Sequence, residues 1–217
     1  MNSFSTFVLH IPRNNSLFQH DPSSMKPINE YRIDALNLSE LEKFFLNNGK
    51  EIRLKRNDFL LRQGERCRFV GYLQQGICRH LHDNSRGEEQ IVGFSPQHHF
   101  VSDYAACLCG QPAQISIQAV KETLVFVLPY EQLETFWNSS EKRQCMGRMV
   151  AEQLFVMTYR RLIDRYCQTP EERYLSFLQH YPELKEELPL REIASFIGVT
   201  PETVSKIRKR ILLGQKS

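Results

Sequence analysis

Long apolar runs are missing from this chain of 217 residues. The longest, such as Leu124 to Leu128 and Tyr104 to Cys109, are far short of the roughly 20 residues that span a bilayer, so a helical membrane protein is excluded. The N-terminus, MNSFSTFVLHIPRNN, has no basic start ahead of its apolar stretch, which argues against a secretory signal. Cysteine is sparse: there are six, and none in the first 66 residues. That density does not build a disulfide scaffold, and the thiols read as reduced in a cytoplasm. Internal repeats and low-complexity tracts are absent. The remaining composition, 41% hydrophobic and 24% charged, is that of an ordinary globular protein and excludes collagen-like repeats and wholesale disorder. At about 100–200 residues per domain, the length allows one domain or two small ones.

Net charge is only +3, but it is unevenly placed. Residues 1–139 hold 14 Lys+Arg and 15 Asp+Glu, whereas residues 140–217 hold 14 and 10. From Val199 onward, Lys206, Arg208, Lys209, Arg210 and Lys216 face Glu202 alone. Such a cluster suits phosphate, although a solvated tail would look the same by charge alone.

Three textures follow one another. Residues 1–27, with Pro12, Pro22 and Pro27, read as an N-terminal arm. A short helix is expected around Asn37–Phe45, capped by Ser39 with Glu42 three residues later. From Glu51 to Leu128, short β-branched and aromatic runs (Glu51–Lys55, Phe69–Leu73, Ile77–His82, Glu89–Phe94, Leu124–Leu128) alternate with turn signals, which predicts a barrel or sandwich. The cluster Asp83–Gly87 predicts a hairpin tip. After Pro129 the pattern is helical. Tyr130–Asn138 predicts a short helix, and about 139–168 a long one. On the long helix Met149, Val156 and Ile163 recur every seven residues, with Cys145, Glu152, Tyr159 and Tyr166 between them, and a second stripe holds Val150, Leu154 and Met157. A helix apolar around most of its circumference needs cover on several sides, one of them plausibly an identical helix. Glu152 interrupts that seam and needs a partner, for which Gln153 or Arg160 of the other chain are candidates. Thr169-Pro170-Glu171-Glu172 predicts a capped helix start.

The stretch Leu190–Arg208 reads as helix, tight turn, helix. Ile193 and Ile197 form an apolar i, i+4 pair, small Ala194 permits a close crossing, and Gly198 suits a left-handed cap. Val199 plugs the turn, Thr200 caps the second helix and Pro201 takes its first position. Val204 and Ile207 would face the first helix, leaving Glu202, Ser205 and Lys206 together on the opposite face. Lysine donates to guanine, glutamate accepts from cytosine and serine does either, so this face suits a major groove. Thr200 and Thr203 at the helix N-terminus suit a phosphate, and Arg208, Lys209 and Arg210 suit the nucleic-acid backbone.

This segment resembles the winged helix-turn-helix of the Crp/Fnr family of bacterial transcription regulators. The resemblance extends upstream: Phe59-Leu60-Leu61-Arg62-Gln63-Gly64-Glu65, Leu73-Gln74-Gln75-Gly76-Ile77-Cys78-Arg79 and Phe100-Val101-Ser102-Asp103-Tyr104 resemble segments of the family's β-roll. It implies an α+β chain: a cyclic-nucleotide-binding-like jelly-roll sensor (28–138), a dimerisation helix (139–168) and a winged helix-turn-helix (169–217). It further implies a non-enzymatic, cytoplasmic homodimer on double-stranded DNA at an inverted repeat, with RNA polymerase as partner, no membrane and no cofactor. The dimer seam would hold Cys145, Met149, Glu152, Val156, Tyr159 and Ile163.

Cyclic-nucleotide binders of the family carry a Gly-Glu pair for the ribose and an Arg-Ser or Arg-Thr pair for the phosphate. Here the first pair reads Ser102-Asp103, and no arginine lies between Val101 and Val120. A buried phosphate would lack its cation there, so control by ordinary cyclic AMP binding is not expected. The candidate effector pocket comprises Arg79, Ser102, Asp103, Gln114 and Ser116, with the effector unidentified. A rival reading, a cupin-like metalloenzyme or a ligand-binding module, rests on His80, His82, His98 and His99, but a glutamate at the usual cupin spacing is missing, and no metal site is assigned.

Overall fold

The computed structural model describes residues 37–182 and 184–214. The expected N-terminal arm, 1–27, lies outside them. In order, the elements are α1 (Ser39–Asn48), β1 (Lys50–Leu54), β2 (Phe59–Leu61), β3 (Phe69–Gln75), β4 (Ile77–Asp83), β5 (Glu89–Pro96), β6 (Phe100–Val101), α2 (Tyr104–Cys109), β7 (Ser116–Ala119) and β8 (Thr123–Pro129). Six helices follow: α3 (Tyr130–Asn138), α4 (Glu141–Cys167), α5 (Pro170–His180), α6 (Leu184–Glu187), α7 (Leu190–Ile197) and α8 (Pro201–Gly214).

The strands form two antiparallel four-stranded sheets, ordered β1-β8-β3-β6 and β2-β7-β4-β5. This is the jelly roll that the sequence predicts. Leu61, Leu73, Cys78, Val101, Ile117, Ala119 and Val125 fill the space between the sheets. The β3–β4 connection turns at Gly76, φ 96°, where a Cβ would collide with Thr123. The expected hairpin tip joins β4 to β5, with Asp83 paired to Glu89.

A second core joins α1 and α3 to the outer face of the other sheet through Phe45, Tyr72, Leu128 and Phe136. A third joins Ile77, Leu81, Ile91 and Phe94 of the roll to Tyr174, Phe177, Ile193, Ile197, Val204 and Ile207 of the C-terminal helices. The roll and the helix-turn-helix therefore share one buried apolar layer. Burying it is the main stabilising term between them, at about 25 cal/mol per Å².

Two expectations need correction. Ser39 is not the cap of α1: Leu38 holds that position without a side-chain hydrogen bond, and the Asn37 side chain accepts from the Ser39 amide at 3.2 Å. Asparagine reaches an amide two residues ahead as an Asx turn and so displaces the serine from the role. The wing is the second correction, since among the described residues every element after Pro129 is a helix. Between α5 and α7 the chain forms α6, and α8 continues through Ile211, which is half-buried against the shared core. Elsewhere the expected signals are realised. Thr169 and Glu172 complete a capping box with Pro170 in the first turn, and Ser140 accepts from the Arg143 amide at the start of α4.

Candidate DNA-reading surface and sensor site

The turn between α7 and α8 is built as its residues dictate. Gly198 adopts φ 70°, and its amide donates to the carbonyls of Ala194 and Ser195. The Val199 amide returns to Ala194 at 3.0 Å, which closes a left-handed cap. Any Cβ at Gly198 would strike the Arg165 guanidinium of α4. Arg173 of α5 supplies what the sequence does not announce: its Nε donates to the Ile197 carbonyl at 2.8 Å and its Nη1 to the Gln168 carbonyl at 2.6 Å. The last carbonyls of two helices are thereby tied to one cation.

Thr200 Oγ1 accepts from the Thr203 amide at 3.3 Å and so caps α8. Val204 and Ile207 are buried beneath α7, which leaves Glu202, Ser205, Lys206 and Lys209 exposed. The Glu202 carboxyl is held below its usual range by its own backbone amide at the helix N-terminus, then by Thr200 and Lys206. It is ionised at neutral pH, as an acceptor for cytosine must be.

The three expected backbone clamps do not behave alike. Lys209 is free on the surface. Arg208 turns inward: its Nε donates to Tyr174 Oη at 2.8 Å, its guanidinium lies over that ring, and its Nη2 is buried without a partner. Arg210 is exposed but reaches Glu171 Oε2 at 2.5 Å. Tyr174 is the reason for the Arg208 reversal. Its hydroxyl is an acceptor under the helix, and nothing in the local sequence of α8 shows it.

On α4, Cys145, Met149, Glu152, Val156, Tyr159 and Ile163 are all exposed. Tyr159 is 55% exposed, and neighbouring Phe155 70%. Val150, Leu154 and Met157 are half-buried and face the roll, where they line a cavity of about 390 Å³ with Val70, His80, Trp137 and Arg161. Glu152 does not wait for a second chain: Arg148 Nη1 meets it at 2.6 Å, one turn away on the same helix.

The five candidate effector residues do not converge. Asp103 caps α2 by accepting from the Ala106 amide at 3.1 Å, and its other oxygen accepts from the Gln114 amide at 2.7 Å. Ser102 Oγ donates to the Phe69 carbonyl at 2.7 Å, while Ser116 Oγ accepts from the Gln63 amide at 2.9 Å. The Gln114 side chain is exposed. Arg79 stays out of the inside of the roll. It points out of the β4 face, donates twice to Gln118 Oε1 at 2.9 and 2.7 Å, and meets Glu192 of α7 at 2.5 Å. Strand alternation explains this: Cys78 and His80 face inward, so Arg79 faces out.

Residues 51–140 match the model of the cyclic nucleotide-binding domain family. The chain is 26% identical over 194 residues to the transcriptional activator Anr of Pseudomonas protegens, covering 81% of this chain and 76% of Anr. It is 28% identical over 173 residues to FnrA of Stutzerimonas stutzeri, covering 72% and 68%. In fold it matches FixK2 of Bradyrhizobium japonicum with a TM-score of 0.65 at 19% identity, covering 77% of this chain and 86% of FixK2. CooA from Carboxydothermus hydrogenoformans matches at 0.62 and 15%, covering 83% and 86%. The chain is similar over most of its length to DNA-binding transcription regulators of the Crp/Fnr type.

Crp/Fnr regulators bind DNA and act as dimers. In this chain the inside of the roll is packed with apolar side chains, and the carboxylate at the expected ribose position is engaged by two amides. The histidines behind the metalloenzyme reading each have a partner: His80 on Ser95 Oγ at 3.0 Å, His82 on the Gln114 carbonyl at 2.7 Å, His98 on Tyr72 Oη at 3.2 Å and His99 on the Gln97 carbonyl at 3.0 Å. His98 has φ 63°, a conformation histidine tolerates better than most residues. No helix among the described residues is long and apolar enough to cross a membrane. Sequence reasoning missed a second cavity, of about 440 Å³, at the meeting of β5, α4, α5 and α7, where Arg161, Arg165 and Arg173 stand near Asp164. The heptad and turn patterns are local, and this cavity exists only because the helix-turn-helix seats on the β4–β5 face.

Proposed function

We propose that this regulator binds an inverted-repeat operator as a homodimer. In this reading α8 lies in the major groove, Glu202, Ser205 and Lys206 read base edges, and Lys209 with the Thr200–Thr203 end of α8 holds phosphates. The observation that carries it is the exposed face of α8, set on an α7 whose opposite side is buried. Arg210 can join the phosphate contacts by leaving Glu171, while Arg208 belongs to the support beneath the helix. The six seam residues of α4 meet their copies across a two-fold axis. That arrangement covers the apolar surface which α4 leaves open and spaces two reading helices about one turn of DNA apart.

The division into sensor (28–138), dimerisation helix (139–168) and reading domain (169–217) is part of this reading, as are a cytoplasmic site of action, RNA polymerase as a partner and the lack of catalysis. Ordinary cyclic AMP is not the effector: no arginine lies from Val101 to Val120, Arg79 is spent on Glu192, and Asp103 is spent on α2. Genome-wide mapping of bound DNA tests the whole. The expected result is a motif with two inverted half-sites centred about 10 base pairs apart. Binding spread evenly over sequence, or a motif without two-fold symmetry, would overturn it.

A further inference from the structure

Two cysteines far apart in the chain meet at one place in the roll. Cys67 lies in the connection before β3, and Cys107 on α2. Their sulfurs are 3.1 Å apart. Both also approach the Phe69 carbonyl, at 3.7 and 3.4 Å, and Ser102 Oγ, at 3.4 and 3.5 Å. Cys67 is only 2% exposed, whereas Cys107 is half-buried and open on one side. The remaining cysteines have no such partner: Cys78 is buried, and Cys109, Cys145 and Cys167 are exposed single thiols.

We propose that Cys67 and Cys107 form a peroxide-reactive dithiol site that closes to a disulfide. The thiol of Cys107 donates toward the sulfur of Cys67, and that hydrogen bond holds Cys67 down to about 6, against burial, with Ser102 and the backbone helping. A thiolate is the reactive form of cysteine, and at neutral pH the pair holds one. Hydrogen peroxide reaches the open side, at Cys107. Within the pair the proton first moves from Cys107 to Cys67. The Cys107 thiolate so formed attacks one peroxide oxygen, and the O–O bond breaks. The departing hydroxide takes the proton from Cys67 and leaves as water, which restores the Cys67 thiolate. Cys67 thiolate then attacks the Cys107 sulfenic sulfur, forms the S–S bond and expels hydroxide. Two thiols lose two electrons and one peroxide gains them. The sulfurs need to close by only about 1 Å to reach disulfide length. Buried Cys78 has the opposite setting: burial pushes its thiol up to about 12, so it stays inert.

The test uses the full reduced chain, freed of reductant and titrated with hydrogen peroxide. Remaining thiols are blocked, and the cross-linked peptides are mapped by mass spectrometry. The expected product joins Cys67 to Cys107 within one chain and forms about tenfold faster than exposed Cys167 is oxidised, because that thiol has no second sulfur to take its proton. Cys109→Ser should leave the product unchanged, and Cys107→Ser should abolish it. Cys107 is at the surface end of the pair, so that variant retains the buried core. A link of Cys107 to Cys109, a link between chains, or oxidation of Cys107 no faster than Cys167 would each overturn the assignment. None of these outcomes depends on DNA binding.

Discussion

Arg79 Nη1 donates to Glu192 Oε1 at 2.5 Å and thereby joins β4 of the roll to α7 of the helix-turn-helix. The side chains are 15% and 9% exposed, and the second oxygen of Glu192 is buried with no partner. Ile91 adds a second polar link, its amide donating to Ser195 Oγ at 3.0 Å. Arg79→Met would strand a buried carboxylate. We expect a loss of about 3–5 kcal/mol in denaturant unfolding, and recovery of most of it in the double variant Arg79→Met/Glu192→Leu, since apolar replacement of both partners avoids the desolvation cost. A single-variant loss under about 1 kcal/mol, the size of an exposed pair, would show that the contact does not hold the two parts together.

Three of the four cations of α8, Lys206, Arg208 and Lys209, should separate in one binding titration. Lys206→Ala loses about 1–3 kcal/mol of discrimination at its own base position. Lys209→Ala weakens binding to all sequences alike and lowers the salt slope by about one. Arg208→Ala leaves the salt slope unchanged and instead lowers unfolding stability by about 1–3 kcal/mol, because it removes a charge-assisted hydrogen bond and stacking on Tyr174. Equal, sequence-blind losses for Lys206 and Lys209 would refute their roles.

Val156→Asp places a charge twice in the proposed seam, once from each chain. Sedimentation should show monomers, and specific DNA binding should vanish while the β-roll keeps its circular dichroism. A dimer with unchanged operator affinity would move the interface to the Phe155, Leu162 and Tyr166 side of α4, which is also exposed.

His80 makes stability depend on pH. In the folded chain its imidazole is pushed down to about 4, first by burial and then by the nearby charge of Arg161, with Asp103 pulling weakly the other way. An unfolded histidine titrates near 6.5. Between those values the unfolded chain binds a proton that the folded chain refuses. The His80 contribution is therefore complete above about pH 6.5 and is lost as pH falls toward 4, up to about 3 kcal/mol in all. His80→Gln, which can still reach Ser95, should flatten the wild-type profile in that window. Identical slopes from pH 7 to 4 would place the imidazole in contact with solvent.

Apart from the start of α1, the helix caps and the helix-turn-helix were legible in the sequence. The capping box of α5, the left-handed Gly198, the Thr200 cap and the buried Val204–Ile207 pair each arise from residues within a few positions of one another, and so does the exposed triad Glu202, Ser205 and Lys206. The short strands β2, β6 and β7 and the helix α2 were not read, because elements this brief take their form from neighbours across the sheet. The fates of Arg79, of Arg208 and of the second oxygen of Asp103 were decided by tertiary structure alone. Each is a long or charged side chain that takes the nearest buried partner, and those partners, Glu192, Tyr174 and the Gln114 amide, lie 113, 34 and 11 residues away. The meeting of Cys67 and Cys107 across 40 residues has the same origin. Periodicity settles which face of an element is buried, because 3.6 and 2.0 are properties of the backbone. It carries no information about what a distant element brings to that face, so polar pairing was the part that only the folded chain could determine.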